Sequence, residues 1–321
     1  MQVILIPPTL MAKTNIITYE GTWGDRIDVY LTKNHEYTRN FFHRLVARGD
    51  ILINDMVVKK KSLWLKPGDV ITIVHPERYM ESEMLALSPA IDLKILLEKK
   101  DYLVVYKPKG VLSHPNSVRG VEHANMVGAL YQYFKSQNLP TTGNFIRAWL
   151  IHRLDKETDG LMLIVKTEEG LKYFKDLRMS KSLAESIEAK ELVPLKKFYR
   201  AQVLVTDKWQ QFLEAITLPH IIEELVIPKV PHYDPKMGIT KITQMKQGDE
   251  NFINLEVEIL TGRTHQIRYH LSQHGLFIRG DYLYMDKKDL NPDDIMHLQA
   301  YRLQFLDIDW VMIDVECEKS W

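Results

Sequence analysis

The chain has 321 residues, 45% hydrophobic and 26% charged, a length and composition that suggest a globular protein of two domains. Its formal net charge is zero, so no global field draws it to nucleic acid or to an anionic membrane, and such binding has to come from a local patch. The single cysteine, Cys317, excludes an internal disulfide and a multi-cysteine zinc site, and a reducing, cytoplasmic setting is expected.

In chain order, the opening "MQVILIPPTLMAK" lacks a basic n-region, and its apolar run stops at Pro7-Pro8. Residues 1–20 are therefore read as an extension, and no apolar stretch elsewhere reaches membrane length. The first unit is expected over 21–76. "DRIDVYLTKNHE" distributes Ile27, Tyr30 and Leu31 as a helix does. "TRNFFHRLVARG" begins on Thr38, a good N-cap, and ends on Gly49, a natural residue just past a helix. Within it Phe41/Leu45 and Phe42/Val46 are i,i+4 pairs, as a core-facing stripe requires. "ILINDMVV" reads as two short strands about a turn at Asn54-Asp55, and "KPGDVITIV" as a turn followed by a strand.

Basic residues collect in this unit: Arg39, His43, Arg44 and Arg48 along the second helix, then Lys59, Lys60 and Lys61. On charge alone, a phosphate-binding surface and an ordinary solvated face are equally good readings. The order of residues decides between them. The stretch "RIDVYLTKNHEYTRNFFHRLVARGDILINDMVVKKKSLWLKPGDVITI" closely resembles an S4 domain, an RNA-binding module. The resemblance implies that Arg39, Arg44, Arg48 and Lys59 to Lys61 contact structured RNA through backbone and shape more than through base sequence.

Residues 77–95, rich in proline and acidic side chains, read as a linker to a second unit over 96–321. There strands dominate ("YLVVYKP", "GLMLIVKT", "KFYRAQVLV", "INLEVEIL"), with helices at "GLKYFKDLRMS" and "THQIRYHLSQHG". That order predicts α+β architecture: a small domain of helices and a hairpin sheet, then a mixed, largely antiparallel sheet.

Within "WLIHRLDKETDGLMLIVKT" two apolar runs enclose a loop holding His152, Arg153, Asp155, Glu157 and Asp159. Gly160 can end that loop, which places Asp155 just before a rigid strand. Taken singly, an aspartate in a loop is most often a turn residue. Further on, "INLEVEILTGRTHQIRYHL" alternates as a strand and breaks at Thr261-Gly262 into a helix, with Arg263 at the junction. Here too the plain reading is that Arg263, His265, Arg268 and His270 are exposed helix polars. "KKFYRAQVLV" puts Lys197, Tyr199, Ala201 and Val203 on one strand face, where a lone tyrosine is usually core.

Together these stretches resemble the RluA-type family of RNA pseudouridine synthases. The carrying residues are "HRLDKETDGLML", "YRA" at 199–201, "GRTHQIRYHL", "GDYLY", "YLVVYKPKGVLSHP" and "HLQAYRLQF". The resemblance spans about 101–306 and implies an isomerase that breaks the N1–C1′ bond of a uridine, rotates the uracil and rejoins it through C5. Such chemistry needs no cofactor and no metal. It needs an ionised carboxylate shielded from water, held by a permanent cation, and a base flipped out of its helix. The resemblance assigns these roles to Asp155 as catalytic aspartate, Arg263 as its cation and Tyr199 beneath the uracil, with His152, Arg153 and Arg268 on the substrate. The implied partner is RNA, ribosomal RNA ahead of transfer RNA, acted on by a monomer with no membrane association.

Three positions depart from the family pattern: Asp159 where serine is usual, Phe277 where proline is usual and Gln299 where histidine is frequent. If turned inward, Asp159 would disfavour the charge on Asp155. Two other readings compete. "HLSQH" sets His270 and His274 one helical turn apart as a zinc pair, without a third ligand. The S4-like unit alone would suit a non-catalytic RNA-binding or ribosome-assembly factor.

Overall fold

A computed structural model of the chain describes residues 13–21, 24–35, 39–75, 88–115, 123–139, 150–204, 216–230, 233–248, 251–286, 288, 290–291 and 293–321. The chain divides into two units, Met1–Glu83 and Met84–Trp321. Most of the expected linker lies outside the described residues, as does Thr38.

The first unit contains β1 (Lys13–Thr18), α1 (Ile27–Asn34), α2 (Arg39–Arg48), β2 (Ile51–Ile53), β3 (Met56–Val57) and β4 (Val70–His75). Its antiparallel sheet runs β1-β4-β2-β3. Ile27 and Leu31 of α1 and Phe42, Leu45 and Val46 of α2 are buried in one core with Ile51, Ile71 and Ile73. α2 stops where Gly49, at φ +81°, turns the chain. The Asp50 N–H then reaches Leu45 O at 2.9 Å and the Gly49 N–H reaches Val46 O at 3.1 Å, the paired bonds of a glycine C-cap. The β2–β3 turn takes Asn54 and Asp55 at φ 48° and 63°, as a tight hairpin of right-handed twist requires.

The expected boundary at residue 21 is one strand too late. Residues 13–18 pair with β4 from Lys13↔His75 to Thr18↔Val70. This strand was hard to see because Ile16 faces outward, 68% exposed, so "KTNIIT" lacks a clean apolar alternation.

The second unit contains β5 (Lys94–Glu98), β6 (Tyr102–Lys107), α3 (Met126–Ser136), β7 (Asp159–Val165), α4 (Glu168–Leu183), α5 (Ile187–Leu192) and β8 (Leu195–Leu204). There follow β9 (His220–Val226), β10 (Lys236–Gln247), β11 (Phe252–Ile259), α6 (Gln266–Gln273), β12 (Phe277–Ile278), β13 (Leu298–Leu306) and β14 (Met312–Glu316). The ten-stranded sheet runs β5-β6-β7-β13-β8-β11-β10-β9, with β12 on β8 and β14 on β13. Only the β7–β13 pair is parallel among the described strands, so the sheet is mixed and largely antiparallel, as the sequence predicts.

The central strands are buried on both faces. Leu103, Val105, Met162 and Ile164 pack on one side with Leu130 and Phe134 of α3 and with Ile267 and Leu271 of α6. Tyr102, Val104, Leu161, Leu163 and Val165 pack on the other with Phe174 of α4 and Phe305 of β13. This two-sided burial is why "YLVV" and "GLMLIV" read as continuous apolar runs rather than alternating ones. At the head of β7, Gly160 has φ +123°, and a Cβ there would lie 2.2 Å from Ala300 O. Only glycine lets β7 approach β13 at the point where the Asp155 loop enters the sheet.

Candidate active site

The loop before β7 is fastened on both sides of Asp155. The Ser113 hydroxyl donates to Leu154 O at 2.7 Å and accepts from the Leu154 N–H at 3.0 Å. The Lys107 ammonium, fully buried, donates to Lys156 O at 3.0 Å, Pro108 O at 2.9 Å and Val111 O at 2.8 Å. Burial pushes the Lys107 amine down to about 8, against the pull of Asp159, Asp155 and Glu157. The carbonyls flanking Asp155 are thus pinned, while Ile151 and Leu154 anchor the loop in the core.

The aspartate meets Arg268 of α6, whose Nη1 lies 3.3 Å from Asp155 Oδ2. The guanidinium is itself oriented by Asp281, with Nε to Oδ2 and Nη2 to Oδ1 both at 2.7 Å. Arg268 is 4% exposed and Asp281 1%, so a buried fork-to-fork pair fixes the plane in which Nη1 is offered to Asp155. Burial opposes charge on Arg268, but the hydrogen bonds and charges of Asp281 and then Asp155 prevail and raise its pKa. His265 completes the group, its Nε2 3.8 Å from Asp155 Oδ2 and its Nδ1 3.2 Å from the Tyr284 hydroxyl.

This assignment corrects the expectation that Arg263 is the partner of the aspartate. Arg263 donates its Nε to Met237 O at 2.9 Å, and no ion pair joins it to Asp155. The reason is local. His265 adopts a left-handed conformation, φ 54°, as the N-cap, so α6 begins only at Gln266. Arg263 is left before the helix, and Arg268 falls on the inward face.

Asp155, Arg268 and His265 line a cavity of 420 Å³ whose walls include His152, Arg153, Lys181, Lys197, Tyr199 and Arg263. Asp155 is the sole carboxylate among the lining residues. Tyr199 is buried, and its pKa is raised by burial and by the charge of Asp155 beside it. Its hydroxyl makes no hydrogen bond with the described residues.

Of the expected substrate contacts, Arg153 is exposed at the cavity wall. His152 lines the cavity but accepts the Leu163 N–H on Nε2 at 3.1 Å, which ties the loop to β7. Burial, then the nearby charges of Lys197 and Arg178, pushes His152 down to about 3, so the ring is neutral.

Asp159 does not line the cavity. Fully buried at the head of β7, it accepts from the Tyr106 hydroxyl and from Gln299 Nε2, the latter at 3.1 Å, with Lys109 Nζ at 3.5 Å. Gln299 stands opposite Asp159 across the β7–β13 pair. Two of the three departures from the family pattern therefore touch each other and form one compensated change. The third, Phe277, opens β12 opposite Leu204.

In the first unit, Lys59, Lys60 and Lys61 are exposed after β3. Arg39 donates its Nε to Asp28 Oδ2 at 2.7 Å, and its side chain is 48% exposed. The side chains of Arg44 and Arg48 lie outside the described residues. In the suggested zinc pair, His270 is occupied by the Thr240 hydroxyl at 2.9 Å and by Glu224 O at 3.3 Å. Cys317 is buried, with burial foremost in raising its thiol to about 11.

Sequence reading passed over Lys107, Asp281 and His265 as members of the site. "KPKG" and "GDYLY" carried two of them, but their partners are far along the chain.

A pinned acid in a cationic cavity, beside a tyrosine on a mixed sheet, is the setting of a base-modifying enzyme. The chain belongs to the RNA pseudouridylate synthase family, whose sequence model matches residues 101–273, and it is an isomerase acting on RNA. It is 29% identical to an uncharacterized RNA pseudouridine synthase of Aquifex aeolicus over 308 residues, 91% of this chain and 90% of that one. It is 28% identical to the ribosomal large subunit pseudouridine synthase D of Buchnera aphidicola, over 77% of this chain and 72% of that one. Among solved structures, human RNA pseudouridylate synthase domain containing 4 shares the fold with a TM-score of 0.50 and 18% identity, over 75% of this chain and 92% of that one.

Proposed function

We propose that the protein converts specific uridines of structured ribosomal RNA to pseudouridine, with Asp155 as the catalytic aspartate and the target base flipped into the cavity. The observation that carries this reading is that Asp155 alone supplies a carboxylate to the cavity, on a loop pinned from both sides. Arg268 supplies the fixed positive charge, and Tyr199 supplies a face on which uracil stacks. Asp159 is the rival acid in the same loop. Its engagement by Tyr106, Gln299 and Lys109 favours a structural role.

Base flipping is required because the sugar carbon and both edges of the uracil are out of reach in a duplex. Arg153, exposed at the cavity wall, is suited to the space the base leaves. The first unit acts as an S4-type RNA grip, supported by its two helices and hairpin sheet and by exposed Lys59, Lys60 and Lys61. The preference for ribosomal over transfer RNA rests on the S4 resemblance and on the relative named for the large ribosomal subunit.

The test is tritium release from 5-tritiated transcripts of large-subunit ribosomal RNA and of transfer RNAs, with purified protein. Release from the ribosomal transcript at a single uridine set, and little from transfer RNA, is expected. Release from neither would leave only the binding role, and release from transfer RNA alone would reverse the substrate preference.

A further inference from the structure

The cavity wall carries a further cation, Lys197. β8 presents Tyr199 and, two residues earlier on the same face, Lys197, about 7 Å away by strand geometry. The Lys197 ammonium lies against the Gly262 backbone, where an added Cβ would come within 3.4 Å of Nζ. No hydrogen bond or ion pair with a described residue engages that Nζ. The groups facing it are Lys181 and Arg178 from α4 and His152 from the loop, all cationic or neutral. Burial, then the charges of Lys181 and Arg178, pushes it down to about 8. Half-buried in the cavity wall, this donor has no acceptor among the described residues, and a ligand in the cavity can supply one.

Resting on the proposed uridine chemistry, we infer that Lys197 donates to the exocyclic carbonyl of the flipped uracil and selects uracil over cytosine. With the ring on Tyr199 and its glycosidic edge at Asp155, the far edge reaches about one strand repeat along β8, to Lys197. Cytosine would offer an amino donor there, leaving two donors opposed.

The reaction gives the contact a further use. The N1–C1′ bond breaks, the ring turns about its N3–C6 axis, C5 bonds to C1′, the C5 proton leaves and N1 ends protonated. That turn exchanges N1 with C5 and O2 with O4. A donor placed at one carbonyl therefore finds the other carbonyl after the turn, so Lys197 grips the detached ring in both orientations.

The test compares wild type and Lys197→Met on 5-tritiated ribosomal transcripts, with RNA affinity measured separately, and on transcripts carrying 4-thiouridine or 2-thiouridine, followed by pseudouridine mapping. Loss of a charged hydrogen-bond donor is expected to slow turnover about 10- to 100-fold at unchanged RNA affinity. Either thio substitution is expected to slow the wild type more than the variant, because sulfur accepts poorly from Lys197 and Met has nothing to donate.

Unchanged turnover in Lys197→Met, or equal thio penalties in both proteins, would overturn the assignment. Weakened affinity with unchanged turnover at saturating RNA would overturn it in favour of a phosphate contact. A wild type that releases no tritium from any RNA would instead remove the uridine reading itself.

Discussion

Two acids, buried Asp28 in the first unit and half-buried Asp155 in the second, are held by cations in opposite ways. Asp28, at the start of α1 and 1% exposed, takes hydrogen bonds from Arg26, from Arg39 at 2.7 Å and from His43 at 2.9 Å. Burial pushes its carboxyl up, but the bonds from His43, Arg39 and Arg26 hold it well below the usual carboxylate range. There one acid absorbs three basic groups. At Asp155 the ratio is inverted: one guanidinium serves two acids, with Asp281 engaging Nε and Nη2 and Nη1 left to face Asp155. The first arrangement closes a structure. The second aims a charge into a cavity. The contrast teaches that an arginine's role is set by how many acids share it, which sequence does not display.

The largest effect expected from breaking this comparison is on stability. Asp28→Asn leaves three partly exposed basic groups clustered without their acid, and losing charged hydrogen bonds to a buried acceptor costs about 3 kcal/mol. Denaturant unfolding should show the first unit melting early, while the rate of tritium release at saturating RNA changes less than about threefold. Arg268→Lys should do the reverse. A point charge cannot serve Asp281 and Asp155 at once, so turnover is expected to fall about 100-fold, with a smaller loss of stability.

A smaller effect sharpens the difference between Asp155 and its neighbour. Asp159→Ser and Gln299→His should each destabilise the protein, and the double variant should recover part of the loss, with a coupling of about 1–2 kcal/mol by a double-mutant cycle. Strict additivity would show the two positions to be independent.

The remaining effect is on pH dependence. Burial, then Arg279, holds His297 down at about 4, and burial, then Lys197, holds His152 at about 3. An unfolded histidine takes up its proton near pH 6.5, so between pH 6.5 and 4 the unfolded chain binds the extra protons. The stability these rings contribute is complete above pH 6.5 and is lost as pH falls through 4 and 3. Melting temperature should therefore drop from pH 7 to pH 5, and less steeply in His297→Asn.

Much of this was legible in the sequence, for physical reasons that can be named. Two-sided burial wrote itself into "GLMLIV" as an unbroken apolar run, and the glycine demanded at 160 marked the loop's entry to the sheet. Paired left-handed residues marked the turn at Asn54-Asp55. What could not be read depended on single dihedrals or distant partners. Arg263 and Arg268 stand five residues apart on one junction, and the left-handed His265 alone decides which faces Asp155. Lys107 reads as one more surface lysine until Val111 O and Lys156 O close around it. β1 escaped because its pairing partner lies over 50 residues away and one of its isoleucines faces solvent.

The central claim is that Asp155, and not Asp159, carries out the chemistry. Single-turnover tritium release with Asp155→Asn and Asp159→Asn, each verified as folded by near-UV circular dichroism, tests it most directly. Asp155→Asn should release nothing above background while still binding RNA, and Asp159→Asn should retain turnover at reduced stability. Turnover by a folded Asp155→Asn, or a folded but inert Asp159→Asn, would contradict the account.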